Sequence, residues 1–572
     1  MFKVLQKTNH TMSRYYSNGK QIRLGQIDFK AQGGEGSIYV KGSTAYKIYS
    51  DPQRTIPAAK IQELSVLTEP NIIRPLNLML DQKNRPVGYT MRYVGKTHVL
   101  CQLFPRAFRL RNNLTPEMSL QLVRKLQNGV THIHDQQILL VDLNEMNFLV
   151  TTDFSDLFFI DVDSYQTPSF PATGLMESVR DRHARTFSTG SDWFSFAVIS
   201  FQMFVGIHPF KGTYAALHQL PDKEQKLDAR MRGNISVLHP GVTVPGSTLP
   251  FTVIPPVYLE WYRAVFQEGR RLPPPHDVLG TVQLAATPAP IPVESGLFVV
   301  TKFREFDSEV IWHEEMITLT EKSIYFAGSR FDKPTGDLKL VVTPRLRHLV
   351  AAWVENNRLL FRDLTTGKEI VTEVDGEDVM ISNGKIYLKK HEHLFAVDFI
   401  ELPQNLWLGL RPVANVMMQA TQVFAGVAIQ NLLGTKYASI PTSGACHQVR
   451  LPELDADQIL NARIERNVLI VVTTRAGHYR RFIYRFAGDF SSYDVRVVSD
   501  VASTDINFTV LDSGIALHLV DGKMELFSAI ESSASMRILR DPLLQTDVRL
   551  FHQGKQALIA RGCELFKISL QT

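Results

Sequence analysis

Residues 139–163 constrain this chain more than any other stretch. Leu139 to Val150 is an apolar run, a polar knot and a second apolar run; a polar turn from Thr151 to Asp156 then leads into Leu157-Phe-Phe-Ile-Asp-Val-Asp163. Two apolar runs joined by a polar turn read as a buried β-hairpin. Asp142, Asn147, Asp161 and Asp163 stand where strands meet loops. Buried strands carry such groups only if something pairs with them. A divalent cation with a triphosphate is such a partner, because Mg²⁺ is usually held by one or two carboxylates plus substrate phosphates.

The spacing resembles the catalytic centre of the protein kinases, whose catalytic loop runs Asp, four other residues, then Asn, and whose next strand ends in Asp-Phe-Gly. Asp142 and Asn147 have that spacing, and Asp161 stands at the metal-binding strand end. Leu140 and Val141 take the family's His and Arg positions, Asn144 takes the usual Lys, and Val162 and Asp163 replace Phe and Gly. Divergent bacterial and phage kinase-like proteins with an Asp-x-Asn-x-x-Asn loop are the most similar. The resemblance implies Asp142 as the catalytic base with Asn144 and Lys47 as its catalytic companions. It implies Asn147 and Asp161 as ligands of Mg²⁺ (or Mn²⁺), and ATP as the nucleotide.

Around this centre, residues 1–22 are polar and read as a loose lead-in. Phe29 to Val40 encloses the glycine cluster Gly33-Gly-Glu-Gly36. By itself it is a tight hairpin turn; in the resemblance it is the phosphate loop, with Gly33, Gly34, Gly36 and Ile38 lining the nucleotide. Lys47 sits inside the apolar strand Ala45-Tyr-Lys-Ile-Tyr49, where an ammonium needs a partner. The resemblance makes that partner the α- and β-phosphates; the plain alternative is an edge-strand lysine facing solvent. Residues 57–68 have helical spacing, and Glu63 is the candidate partner of Lys47, although counting back from Pro70 puts Lys60 there. Gly88 to Val94 resembles the strand entering the hinge. Met91 would then border adenine, and the backbone of Arg92 and Val94 would read it.

Leu114 to His134 is an amphipathic helix, with Thr115 as its cap and Pro116 in its first turn. His132 and His134 read as packing or surface histidines, since no further Cys or His completes a metal site. Residues 164–190, with Pro168, Pro171 and Gly174, resemble an activation segment, and Glu177 is the candidate for its closing glutamate. Ser191 to Phe210 closely resembles the large-lobe central helix, with Asp192 capping its start and holding the catalytic-loop backbone. Residues 211–280 are expected to be helical. The fold expected for residues 23–280 is therefore the α+β, bilobal, protein kinase-like one.

Residues 281–295 are rich in Pro and Ala and read as a semi-rigid linker. Beyond it, residues 296–572 carry short alternating runs separated by turns such as Asn356-Asn357, Thr366-Gly367, Asn383-Gly384 and Asp521-Gly522. This pattern predicts an all-β binding domain. A β-propeller of six or seven blades is the reading, and a sandwich is the alternative.

Composition limits the functions open to the chain. With 572 residues, two or more domains are expected. A net charge of +5 is small for that length, so no nucleic-acid partner is expected. Cys101, Cys446 and Cys563 are far apart in sequence, which suggests neither a zinc pattern nor a disulfide framework and favours a reducing cytoplasm. The first twenty residues lack a signal-peptide core, and the longest apolar stretches, Phe194 to Ile207 and Val416 to Leu433, are interrupted by polar residues. No membrane span is expected. The resemblance implies an ATP-dependent serine/threonine protein kinase whose β domain recruits a protein substrate or regulator. The alternatives are a nucleotide-binding scaffold without turnover, or an enzyme with another acceptor or nucleotidyl transfer. It also implies, as genetic neighbours, a PP2C-type phosphatase and a von Willebrand-type domain protein.

Overall fold

The computed structural model describes residues 13–571, apart from 221, 276–294, 371, 403–405, 476, 500, 502 and 529–535. The expected lead-in is not wholly loose. Its described part forms β1 (Ser13–Ser17) and the start of β2 (Lys20–Leu24), a hairpin that joins the N-terminal sheet. That sheet continues with β3 (Phe29–Gln32), β4 (Gly36–Lys41), β5 (Thr44–Tyr49), β6 (Asn77–Leu80) and β7 (Pro86–Arg92). The order is β2-β1-β6-β7-β5-β4-β3, with every pair antiparallel. Two glycines are forced by close strand approach. A Cβ on Gly36 would lie 2.3 Å from the Ile48 carbonyl oxygen, and one on Gly88 would lie 1.9 Å from that of Lys47.

The expected α+β bilobal kinase-like fold followed by an all-β domain is overturned as the fold class of this chain. Among the described residues, strands make up 42% and helices 19%, with six α-helices, many small sheets and a half-barrel sheet at the N-terminus. Much of the error lies in residues 211–280. Among their described residues the α-helices are α5 (Lys223–Arg232) and α6 (Pro256–Phe266). Prolines 209, 240, 245, 250 and 255 break up the chain around them.

The other helices are α1 (Ala58–Leu64), α2 (Arg106–Asn112), α3 (Pro116–Asp135) and α4 (Thr189–Val205). Thr115 Oγ1 accepts from the Met118 N–H and caps α3, and Gly129 lets that helix approach the Phe159 ring. Ser188, not Asp192, caps α4, which ends at Gly206 with φ +77°. Together α3, α4 and α6 bury one large apolar core, built on Leu126, Val130, Phe196, Phe201 and Tyr262.

Residues 298–570 form seven four-stranded antiparallel sheets in chain order: 310–332, 339–370, 378–415, 421–450, 458–499, 507–539 and 549–570. The last is completed by Phe298–Glu305, which pairs with Glu564–Leu570. Each apolar cluster bridges two consecutive sheets, and one of them joins Phe551 and Leu558 of the seventh to Val310 of the first. The sheets therefore close into a ring, a radial repetition that leaves only short edges. Asn356-Asn357, Asn383-Gly384 and Asp521-Gly522 all have positive φ at both turn residues, the geometry that two-residue hairpins need. Most of the expected linker, 281–294, lies outside the described residues. Among the described residues, no helix is long and apolar enough to cross a membrane.

The helical core carries a built-in acid sensitivity. The neutral ring of His208 donates from Nε2 to the Ser178 carbonyl at 2.9 Å and accepts the Phe210 N–H on Nδ1 at 3.1 Å. Burial, then nearby Lys211, pull its pKa down to about 3. Burial likewise lowers His313 and His518 to about 4. Unfolded histidine titrates near ~6.5, so the unfolded chain takes up these protons first. Stability should be full above roughly pH 6.5 and fall below it, by up to about 1.4 kcal/mol per pH unit for each such histidine. Denaturation midpoints measured from pH 8 to 4 check this, and His208→Gln should flatten the decline. A flat wild-type profile down to pH 4.5 would contradict it.

Candidate functional site

The first apolar run of the 139–163 stretch does not form a strand. The hairpin expected across the Thr151–Asp156 turn does form, as β9 (Phe148–Thr151) with β10 (Leu157–Phe159), flanked by β8 (Thr97–Val99). Residues 139–147 form a loop instead. Val141 is buried with φ +64°, a conformation costly for a β-branched residue. Asp192 holds it there. Its fully buried carboxylate accepts the Leu140 and Val141 N–H groups, both at 2.9 Å, and lies 2.9 Å from His134 Nε2. Asp192 thus organises the loop from inside α4, and His134 serves that packing.

Within the loop, Asn147 Nδ2 donates to the Asp142 carbonyl at 2.9 Å and lies 3.5 Å from its Oδ2. The Met176 N–H covers Asp142 Oδ1 at 2.7 Å. Asn144 is turned inward: its Oδ1 accepts the Met146 N–H at 2.8 Å, and its side chain is buried. The amide is thereby committed to the loop itself. The Asn147 carbonyl accepts the Ile160 N–H at 3.0 Å, which ties the loop to the strand end before Asp161.

Asp161 has φ +60°, and the short turn Val162–Ser164 that follows brings two acids to one place. Lys47 Nζ lies 2.7 Å from Asp163, 3.0 Å from Asp161 and 3.3 Å from Glu35. Asp163 also accepts the hydroxyls of Tyr49 at 2.5 Å and Tyr89 at 2.6 Å. Burial works to raise the Asp163 carboxyl, but Lys47 and these hydrogen bonds outweigh it and hold it below the usual carboxylate range. Burial works to lower Lys47, but Tyr89, Asp163 and Asp161 overcome it and keep the ammonium charged. Asp161 has no such set of donors. Enclosure pushes its carboxyl up to about 6, against Lys47 and with the charge of Asp163 adding to the rise. Its side chain is nevertheless 35% exposed, against 3% for Asp163. Asp163 is therefore the counter-ion of the lysine, and Asp161 is the carboxylate open to a ligand. Carboxylate oxygens of Glu35, Asp161 and Asp163 lie within 4.8 Å of one another, close enough for a hard cation.

The remaining expected residues divide. Ile38 pairs with Lys47 across β4–β5. Gly34 has open space around it, a Cβ on Gly33 would meet the Gly36 carbonyl oxygen at 3.9 Å, and Gly36 is required by strand packing. Glu63 does not pair with Lys47; it faces the segment beyond the site and accepts the Ser169 N–H at 3.3 Å. The Arg92 guanidinium turns away, over the Phe158 ring and onto the Pro70 carbonyl. Met91 packs beside Tyr49 and Tyr89, and Val94 is half-buried just past β7. Glu177 pairs with Arg180 and Arg182 near the surface. The buried bidentate pair of that segment is Asp181 with Arg271, at 2.5 and 2.6 Å.

Sequence reasoning missed Glu35, Tyr49, Tyr89 and the role of Asp163. The signal for Tyr49 was present, since it lies two residues from Lys47 on the same strand face. The ring also reaches the site. Tyr479 donates to Glu145 at 2.7 Å, Gln102 donates to the Leu460 carbonyl at 2.9 Å, and Gly477 lies against Met176. No protein-family model matches the chain, and no curated protein matches it significantly in sequence.

Proposed function

We propose that the chain binds ATP with Mg²⁺ (or Mn²⁺) and transfers the γ-phosphoryl group to a serine or threonine hydroxyl of a protein. The observation that carries this reading is the division of labour between two acids on one turn. Asp163 holds Lys47 charged and in place, while Asp161 stays partly open beside it. In this reading Asp161 and Asn147 would hold the cation, which neutralises charge developing on the phosphates. Lys47 with the loop at Gly33, Gly34 and Gly36 would orient the polyphosphate. Asp142 takes the proton of the acceptor hydroxyl as its oxygen bonds to the γ-phosphorus. The bond from that phosphorus to the β–γ bridging oxygen breaks, and ADP leaves. The ring, docked on Glu145 and Met176, would recruit the protein substrate or a regulator. Three free cysteines support a cytoplasmic location.

A second reading, nucleotide binding without turnover, is favoured by Asn144, whose amide is used within the loop, and by the Met176 N–H that covers Asp142. Incubation with γ- or α-labelled ATP and candidate protein acceptors separates the readings. Label from the γ position on serine or threonine is the expected result. Label from the α position would mean nucleotidyl transfer. Binding with no label would establish the second reading, and absence of nucleotide binding would end both.

A further inference from the structure

Lys60, in α1, is 2% exposed and among the largest fully enclosed side chains of the molecule. Yet among the described residues its ammonium makes no hydrogen bond and no close ion pair. It faces the acids of the site at longer range: Asp163, Asp161 and Glu35 all favour its charged form, while burial opposes it more strongly. The side chain is enclosed, but Nζ is not among the wholly buried polar atoms that lack a partner, so the ammonium itself keeps solvent contact. Its neighbour Lys47 is fully engaged, with three carboxylates inside 3.3 Å. Asp163 is saturated as well, by Lys47, Tyr49 and Tyr89. Lys60 is therefore a second cation beside Lys47 for an incoming polyphosphate, and Glu35 is a further carboxylate beside Asp161 for its dication.

Resting on the nucleotide reading above, we propose that Lys60 is a second anion-binding lysine of the site, beside Lys47. It meets the terminal phosphates of a metal-bound polyphosphate and makes the site select nucleoside triphosphates over monophosphates. A lysine acts here as a compact point charge with three donors, which suits a phosphate oxygen. The helix position from which an acid was expected to steady Lys47 thus carries the opposite charge, because Asp163 already fills that role.

The test is calorimetric titration of the full chain and of Lys60→Met with ATP and with AMP, both in Mg²⁺. Wild type should bind ATP more tightly than AMP. Lys60→Met should lose at least tenfold in ATP affinity, keep AMP affinity within twofold, and melt without ligand within a few degrees of wild type. Unchanged ATP affinity in Lys60→Met, with wild type still binding, overturns this proposal but leaves the nucleotide reading standing. Wild type that binds neither nucleotide overturns both. Should Lys60→Met not fold, Lys60→Gln carries the same comparison. If neither folds, Lys60 is a structural counter-ion and the proposal fails.

Discussion

On the proposed function, Asp161→Asn should abolish cation-dependent phosphoryl transfer while leaving the chain folded, and Asp142→Ala should leave nucleotide binding intact while lowering turnover. The reasons differ. Asp161 is the carboxylate with open surface and no saturating set of donors, its one direct ion pair among the described residues being with Lys47 at 3.0 Å. The amide removes the charge a hard cation needs but keeps the side-chain shape. Asp142 is engaged by the Met176 N–H and by the Asn147 amide. Its loss would remove the proposed acceptor of the hydroxyl proton, an effect of roughly 10² to 10⁴-fold. Steady-state transfer with and without Mg²⁺, alongside nucleotide titration, reads both variants. Full activity in the two would show that the chemistry lies elsewhere.

Asp163→Ala should instead unfold the site. Its carboxylate meets Lys47, Tyr49 and Tyr89 in an environment that is 2% exposed. Removing one partner of a buried charge pair costs about 3–5 kcal/mol, because the other charge is left behind. Two buried tyrosine hydroxyls also lose their acceptor. For a protein of this size a loss of that order lowers the melting temperature by roughly 10 °C. Asp163→Asn should fall between, since an amide oxygen still accepts the hydroxyls but the charge is gone. The sign with pH follows. The folded carboxyl titrates below its ordinary value, so its stabilisation is present above about pH 4 and is lost as pH falls further. Asp163→Asn should therefore narrow the gap to wild type in strong acid. If Asp163→Ala melted like wild type and Asp161→Asn did not, the roles assigned to the two acids would be reversed.

How much of this was legible beforehand depends on the range of the interaction. Local signals were readable. The hairpin turns at Asn356-Asn357, Asn383-Gly384 and Asp521-Gly522 require positive φ, and the residues that tolerate it stand there. Thr115 and Pro116 announced the start of α3. Alternating apolar runs announced strands across 298–570. Helix was over-read across 211–280, where proline punctuation outweighed composition, and strand was missed across 13–22, where a polar hairpin gains its order by pairing with β6.

The site separates along the same line. That Lys47, inside an apolar strand, needs a partner followed from the sequence itself; grouping it with Asp142, Asn147, Asp161 and Asp163 rested on the family resemblance. Which acid pairs with which base did not follow. Glu63 and Lys60 stand three residues apart on α1, and a rotation of that short helix exchanges their roles; only its packing against the Val162–Ser164 turn points Lys60 inward and Glu63 outward. Likewise, Asp161 and Asp163 are two residues apart, but the left-handed backbone at Asp161 turns one carboxylate into the core and leaves the other open. Sequence determined the inventory of charge and the local turns. Tertiary packing decided which charges are buried together, because burial is set by contacts between segments more than a hundred residues apart, such as Lys47 with Asp163.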